Sequence, residues 1–321
     1  AITMLENQPN ISEAIRGEPQ ATRNLVSACA RHPLTLSLAA RRLERWIKGH
    51  AQPIAAFVAQ LQDRMAQLRL GEGPLESLEA NFDLSLQELQ ETERQRYILL
   101  SAFAPSGFQL RMAAALWGET HAPLDETRRS LERLEVLSLL EPGETADRWK
   151  LHDLLYEFAL KKLRLQGGET QAMETLCDLM TALFQQFYAE DRTTALHAAY
   201  ELDNLRRAAG WARQQKDSER LARLATVPRN WLYNSFHNFN EWGIWLQEAL
   251  ALGIQDQQLQ ANCIQSLGDV HLRLAEYPQA RARYEAALPL YQEIGDRLGE
   301  ANCIRSLGDV HYMMDEYPQA R

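Results

Sequence analysis

Cysteine, long apolar runs and positive charge are all scarce in this 321-residue sequence. The four cysteines show no Cys-x-x-Cys spacing, which argues against a disulfide framework and favours buried thiols in a reducing compartment. No apolar run reaches the roughly 18 residues that a transmembrane helix needs. The net charge of −9 argues against a nucleic-acid-binding surface that covers the molecule. We therefore predict a cytoplasmic protein without a membrane segment.

Sequence motifs for catalysis are also missing. The chain contains no Gly-x-x-x-x-Gly-Lys-[Ser/Thr] loop to hold phosphates, and no strand ending in acidic residues that could hold Mg²⁺. His-Glu-x-x-His, Gly-x-Ser-x-Gly and paired-carboxylate arrangements are absent as well. We predict that this chain is not an enzyme, has no catalytic or metal-binding residues, and binds no cofactor by itself.

The strongest pattern that is present is an internal repeat. Residues 261–281 and 301–321 are identical at 16 of 21 positions, at an offset of 40 residues. A fixed period of this kind indicates stacked helical units that bury their apolar faces against their neighbours. The pattern runs up to Arg321 and the sequence opens without Met, so we expect a segment of a longer protein.

Small and aromatic residues recur at fixed places within this repeat. Gly268, Ala280, Tyr284 and Ala287 fall at positions 8, 20, 24 and 27 when Ala261 is counted as position 1. This spacing resembles the tetratricopeptide repeat, a helix–turn–helix unit. The resemblance implies that the first helix of each unit lines a groove for a peptide or protein ligand. The implied partner-binding residues are Asn262, Gln265, Asp269, Leu272, Arg273, Asn302, Arg305, Asp309, Tyr312 and Met313. Three of the five differences between the two units fall at these positions, which fits individually tuned contacts; drift on an exposed face would give the same pattern.

Turn and helix signals divide the whole chain into four predicted domains. These are a helical segment at 1–73, a winged-helix domain at 74–167, a helical linker with repeat-like character at 168–260, and tetratricopeptide repeats at 261–321. In the second domain, helices near 75–88, 92–103, 110–117 and 124–137 precede two short strands at 138–141 and 148–151. The predicted fold class is mainly α: a helical bundle plus a winged helix with a small β-wing, followed by an α-helical solenoid.

Aromatic residues cluster in the middle of the third domain. Spacings of three recur among Tyr233, Phe236, Phe239, Trp242 and Trp245, with Trp231 just before them. A packed helix–helix seam is the first interpretation, and a platform for a cofactor or sugar is the alternative.

A strand leads directly into a helix at 149–158. Trp149 and Leu151 alternate with polar neighbours, and Asp153 stands where an N-cap is expected, so His152 lies at the corner between strand and helix. Together with the Cys29–Leu34 stretch, Leu151-His152-Asp153 resembles the NB-ARC module of the STAND signalling ATPases, with Leu151 in place of methionine and Arg31 in place of glycine.

The resemblance implies a role in nucleotide binding for three residues. Pro33 would contact adenine, His152 would reach the β-phosphate of ADP, and Asp153 would position the histidine loop. The nucleotide-binding core would have to lie upstream, so ADP or ATP is expected only in a longer parent protein. The alternative for His152 is a corner histidine without a ligand.

The combined prediction is the regulatory portion of a STAND-type protein, with repeats that bind a ligand or partner protein and a winged-helix segment that gates an ADP/ATP switch. A scaffold that binds a protein partner without nucleotide is the first alternative. A DNA-binding winged helix is the second, although Asp and Glu accompany Arg128, Arg129 and Arg133 on its recognition helix, and residues 75–165 carry eleven Lys/Arg against sixteen Asp/Glu.

Overall fold

The chain folds into two units that are almost entirely helical. The computed structural model describes residues 2–6, 10–47, 53–67, 74–119, 123–186, 199–227 and 238–316. Residues 1–169 form one compact unit and residues 170–321 form the other. The predicted mainly α fold class is confirmed. The four predicted domain boundaries stay predictions.

Six helices begin the first unit. They are α1 (Ile2–Glu6), α2 (Ser12–Gly17), α3 (Pro19–Ala28), α4 (Pro33–Trp46), α5 (Pro53–Gln67) and α6 (Pro74–Gln87). Pro33 occupies the first turn of α4, where its fixed φ and missing N–H cost nothing. The turn before it passes through two left-handed residues, Ala30 (φ 48°) and Arg31 (φ 58°). Leu25, Leu43 and Phe57 belong to the apolar core that these helices share.

Four helices and three short strands follow, and the helices lie in the predicted order. They are α7 (Glu91–Leu99) with a 3₁₀ turn (Leu100–Ala102), β1 (Phe108–Gln109), α8 (Leu110–Leu116), α9 (Leu124–Val136), β2 (Glu141–Pro142), β3 (Arg148–Lys150) and α10 (Asp153–Leu165). Each helix boundary lies close to its predicted position, because the limiting signals are local caps, glycines and prolines.

The small sheet differs from the prediction in two respects. It has three antiparallel strands in the order β1-β3-β2, with Phe108 opposite Trp149. The predicted strand at 138–141 is wrong over most of its length, since Ser138 is left-handed (φ 59°) and ends α9. β1 was missed because two residues are too few to show an alternating pattern. Gly107 (φ 102°) makes this pairing possible, because a Cβ there would lie 2.4 Å from the Trp149 carbonyl oxygen.

Helix α6 is shared by the two parts of the first unit. Ala80 and Leu84 join the core of the first helices. Phe82 packs on Tyr97 of α7 and Phe158 of α10, with ring centroids 5.9 and 5.8 Å apart. The same helix therefore anchors both parts.

A buried carboxylate on α6 reinforces this connection. Asp83, whose side chain is 8% exposed, lies 2.6 Å from Lys162 Nζ of α10 and accepts from Arg64 Nε of α5 at 2.8 Å. Burial works to raise the pKa of Asp83, but the hydrogen bonds and charges of Lys162 and Arg64 outweigh it and lower the pKa below its usual value.

Seven helices make up the second unit. They are α11 (Glu169–Gln186), α12 (Leu202–Gln214), α13 (Ser218–Thr226), α14 (Phe239–Leu252), α15 (Gln257–Arg273), α16 (Tyr277–Ile294) and α17 (Arg297–Met313), counted within the described residues. Trp231, Tyr233 and Phe236 of the aromatic cluster lie outside the described residues. Trp242 and Trp245 are buried, as the packed-seam interpretation predicts.

Close helix packing explains the small residues of the repeat. A Cβ on Gly268 of α15 would lie 2.6 Å from the ring of Tyr284, and a Cβ on Gly299 of α17 would lie 2.3 Å from the ring of Tyr291. Both tyrosines are on α16, which is thereby seated between α15 and α17. The sequence pattern of small and aromatic residues therefore encodes contacts between neighbouring helices.

Candidate functional site: a histidine corner and a row of repeat helices

The first candidate site is the corner where β3 meets α10. His152 is the N-cap of α10, and its Nδ1 accepts a hydrogen bond from the Leu154 backbone N–H at 3.3 Å. The prediction that Asp153 is the cap is therefore wrong: Asp153 is the first helical residue, and its side chain is exposed. The imidazole caps the helix because His152, and not Asp153, is the residue immediately before the first helical residue.

This contact fixes how His152 can meet a ligand. An Nδ1 that accepts a hydrogen bond carries no proton, so the neutral ring has its proton on Nε2. His152 and Asp153 both line an open cleft of about 720 Å³ beside the β-wing. The imidazole thus has an Nε2–H donor that a ligand in this cleft could use.

The charge of the cleft limits which ligand it can hold alone. Among the described residues, its lining contains the carboxylates of Glu141, Glu144 and Asp153 and one cation, Lys150, which lies 3.6 Å from Glu141. The Nε2–H donor and the size of the cleft suit a phosphate-bearing ligand. The surrounding carboxylates disfavour such a ligand, because they would repel its phosphate oxygens. A phosphate-bearing ligand in this cleft would therefore need cations from elsewhere.

Not all of the residues that were predicted to contact a nucleotide line this cleft. Pro33 stands at the start of α4 and is not among the residues that line it. The left-handed conformation of Arg31 is one that glycine adopts without strain and that a side chain with a Cβ disfavours. Arg31 is thus accommodated at a backbone cost.

The predicted recognition helix for DNA is α9, and its arginines are engaged within the protein. Arg128 lies 2.8 Å from Asp147, and Arg133 lies 3.2 Å from Glu93. Arg129 donates to the Asp125 carbonyl oxygen at 3.2 Å. DNA phosphates would have to displace these contacts, which disfavours the DNA-binding alternative.

The second candidate site is the set of predicted groove residues, and the two repeats treat them differently. On α15, Gln265 and Asp269 are buried (1% and 4% exposed), Asn262 and Leu272 are half-buried, and Arg273 is exposed with its guanidinium 5.3 Å from the Phe239 ring centroid. On α17, Asn302 is half-buried, whereas Arg305, Asp309, Tyr312 and Met313 are exposed. Four of the five positions on α17 are thus exposed, and α17 is the last helix that the structure describes.

Two tyrosines of α16 cover the buried positions of α15. The Tyr284 hydroxyl donates to Asp269 Oδ1 at 2.9 Å. The Tyr291 hydroxyl lies 2.8 Å from Asn262 Oδ1 and 2.8 Å from Gln265 Oε1. Gln265 and Asp269 thus stabilise the helix pair, and they need a rearrangement before they can touch a ligand.

The repeat architecture starts earlier than the sequence repeat indicates. Asp217, Asp256 and Asp296 are the N-caps of α13, α15 and α17, and each side chain accepts from a backbone N–H of the first turn at 3.0–3.1 Å. A left-handed residue ends the preceding helix each time, namely Lys216, Gly253 and Gly295. Sequence reasoning recognised the repeat only from 261, although the near-40-residue spacing of these aspartates was a readable signal.

We call α13, α15 and α17 the A helices. Side chains link their first turns: Glu219 Oε1 accepts from the Gln255 backbone N–H at 2.8 Å, and Gln258 Nε2 donates to Asp296 Oδ2 at 2.8 Å. The backbone bonds of Gly299 and Leu298 and the bond from Gln258 lower the pKa of Asp296. The A helices therefore form one continuous row.

The family comparison agrees with this architecture. Residues 260–321 match the tetratricopeptide repeat family. This part of the chain therefore consists of tetratricopeptide repeats, as predicted.

Comparisons with individual proteins extend beyond the repeats. The chain is 29% identical over 187 residues to the regulatory protein AfsR of Streptomyces coelicolor, a stretch that covers 56% of this chain and 18% of that protein. It thus spans less than a fifth of the length of this curated relative. A solved STAND protein with a tetratricopeptide repeat sensor from Pyrococcus horikoshii aligns with 88% of this chain and 57% of its own, at 14% identity and a TM-score of 0.34. Among the described residues, no helix is both long and apolar enough to cross a membrane.

Proposed function

We propose that this chain is the regulatory and sensor portion of a STAND-type signalling protein. Its repeats bind a ligand or partner protein, and its winged-helix segment gates an ADP/ATP switch whose phosphate-binding loop belongs to an upstream nucleotide-binding domain. The observation that carries the proposal is the combination, in one chain, of tetratricopeptide repeats with a corner histidine that lines a cleft. Similarity to a regulatory protein supports the same role.

In this proposal His152 is the ADP sensor of the winged-helix domain. Its Nε2–H donates to a phosphate oxygen, Asp153 positions the histidine loop, and Pro33 contacts the adenine from the first helical segment. The upstream domain supplies the positive charge that the cleft lacks. This chain alone is then expected to hydrolyse no ATP.

Helix α10 provides a rigid connection from the sensor to the rest of the first unit. His152 caps its first turn, while Lys161 and Lys162 near its other end contact Glu79 at 2.9 Å and Asp83 at 2.6 Å on α6. A ligand on the repeats changes how the linker at 168–260 packs and so shifts the His152 corner relative to ADP. Couplings of this kind typically amount to about 1–3 kcal/mol, enough to shift a switch.

Paired substitutions of His152 in the longer protein test the nucleotide role. His152→Asn keeps a side-chain acceptor for the Leu154 N–H but removes the imidazole donor, whereas His152→Ala removes both. We expect both variants to lose bound ADP, measured by chromatography after denaturation, and only His152→Ala to lose helix stability. Wild-type ADP content in His152→Asn would contradict the role of the imidazole.

Substitutions on α17 test the sensor role. Arg305→Glu and Tyr312→Ala change exposed groove residues without removing a buried contact of the core. We expect both to abolish ligand-induced activation of the longer protein while its ADP content stays unchanged. Full activation in both variants would show that the groove assignment is wrong.

The carboxylate-rich lining of the cleft favours one second candidate, a partner-binding scaffold that never meets nucleotide. An upstream region without a phosphate-binding loop would select the scaffold. Normal partner binding by a protein that carries no ADP would select it as well.

A further inference from the structure

Lys150 and His152 face the same side of the corner between β3 and α10. Lys150 ends β3 and His152 follows two residues later with extended backbone, and successive side chains of such a segment alternate between its two faces. Trp149 and Leu151 accordingly face the interior, with 4% and 3% exposure. Lys150 and His152 both line the cleft of about 720 Å³ beside the β-wing. A ligand that contacts the imidazole therefore has an ammonium group close to it.

Glu141 of β2 is the residue that pairs with this ammonium group. Strands β2 and β3 place Glu141 directly opposite Lys150, and residues in such positions have their side chains on one face of a sheet. Lys150 Nζ lies 3.6 Å from Glu141 Oε2, which is longer than the roughly 2.7–2.9 Å of a charge-assisted hydrogen bond. The two side chains are 44% and 42% exposed. A long and solvated pair of this kind contributes little to stability, so its loss costs little.

Other cations of the first unit are held more firmly. Lys162 Nζ lies 2.6 Å from Asp83, and Arg64 Nε donates to the same carboxylate at 2.8 Å. The Asp83 side chain is only 8% exposed, so water cannot replace these contacts as it can replace those of Glu141. Lys150 is therefore a cation that a ligand can take from its partner at a small cost.

The chemistry of this cation suits a phosphate group. An ammonium group has three N–H donors and a full positive charge, and lysine commonly binds phosphate as a point charge. The neutral imidazole of His152 adds a donor but no charge. Glu144 and Asp153 line the same cleft and form no ion pair with any residue that the structure describes. Both repel a phosphate, which makes the one cation of the lining important for its affinity.

We propose that Lys150 is a second phosphate-binding residue of the cleft, beside His152, and that Glu141 competes with the phosphate for its ammonium group. Without a nucleotide, Lys150 is paired with Glu141. With a nucleotide, Lys150 contacts a phosphate oxygen and Glu141 is left to the solvent. This inference rests on the proposed nucleotide role of the cleft and adds a cation that the chain itself supplies. The upstream domain still has to offset Glu144 and Asp153.

The dissociation constant of ADP, measured by isothermal titration calorimetry on the nucleotide-free longer protein, tests the role of Lys150. Lys150→Gln should weaken ADP binding roughly tenfold or more, because it removes a charge-assisted hydrogen bond. The same substitution should leave the affinity for adenosine unchanged, because adenosine has no phosphate. Arg111→Gln is the matched control: it removes an exposed positive charge of α8 that does not line the cleft, and it should bind ADP as the wild type does.

A double-mutant cycle tests the competition. Glu141→Gln should tighten ADP binding, because Lys150 then has no partner to leave and one repelling charge is gone. In the Lys150→Gln background the gain should be smaller by a factor of roughly two to five, the size of an exposed ion pair. Glu144→Gln also removes a repelling charge, but Glu144 is not paired with Lys150, so its gain should be the same in both backgrounds.

Three outcomes would overturn the inference. These are wild-type ADP affinity in Lys150→Gln, an equal loss of adenosine and ADP affinity in that variant, and equal gains from Glu141→Gln in both backgrounds. If His152→Asn weakens ADP binding in the same experiment, these results reject only the role of Lys150 and leave the nucleotide role of the cleft intact. A wild-type protein that binds no ADP would reject both. Circular dichroism spectra matching the wild type would show that the variants are folded.

Discussion

Removal of the charge on Asp83 is the sharpest test of how the first unit holds together. Asp83→Asn keeps the size of the side chain but leaves Lys162 and Arg64 facing a neutral amide inside the protein. Loss of one partner from a buried ion pair costs about 3–5 kcal/mol. Lys162 and Arg64 are 31% and 21% exposed, so part of their hydration is retained and we expect the low end, about 3 kcal/mol.

Hydrogen exchange of the α10 amides is the assay, because the chain has two units and a single unfolding transition need not report on the first. A loss of about 3 kcal/mol corresponds to a fall in protection of roughly a hundredfold. Glu79→Gln is the matched control, since Glu79 pairs with Lys161 across the same two helices and Lys161 is 58% exposed. An exposed pair contributes about 0–1 kcal/mol, so protection should change little.

The pH dependence of this variant has a definite sign. The pKa of Asp83 is lowered in the folded protein, so its stabilisation is present above the unfolded-state pKa of about 3.9 and disappears as the pH falls through the lower folded value. The difference between wild type and Asp83→Asn should therefore shrink below about pH 4. Equal protection in Asp83→Asn and Glu79→Gln at pH 7, or a difference that persists at low pH, would refute the reasoning.

Three further predictions concern packing and backbone strain. Gly299→Ala should lower the melting temperature, by an amount equivalent to about 1–3 kcal/mol, because the new Cβ would meet a buried tyrosine ring. Gly210→Ala is the control and should raise the melting temperature slightly, because Gly210 has open space around it and a helical backbone. Equal shifts in the two variants would contradict the close-packing argument. Arg31→Gly should raise the free energy of unfolding by about 0.5–1 kcal/mol because it relieves a φ of 58°, and a destabilised variant in urea titration would count against this explanation. Tyr284→Phe removes the hydroxyl that donates to buried Asp269 and should cost about 1–2 kcal/mol, read from hydrogen exchange of α15 and α16; unchanged exchange would show that this bond contributes nothing.

Local signals in the sequence determined most of the helices and the class of the fold. Pro33 and the aspartates at helix starts act through their own backbone or through the next turn, so their effect can be read without knowledge of the rest of the chain. The repeat can also be recognised from the sequence alone, because two nearly identical segments are expected to pack in the same way. The paired glycine and tyrosine contacts of α15, α16 and α17 follow from it.

Only the tertiary structure decided which polar residues remain available. Gln265 occupies a predicted groove position, yet it is buried beneath Tyr291. His152 caps α10 because its position places its side chain within reach of a free backbone amide of the first turn. The general preference for aspartate at N-caps does not take that position into account. Asp83 gained its two cations from helices 19 and 79 residues away in sequence. Contacts of that range depend on how helices pack against one another, and no periodicity in the sequence records them.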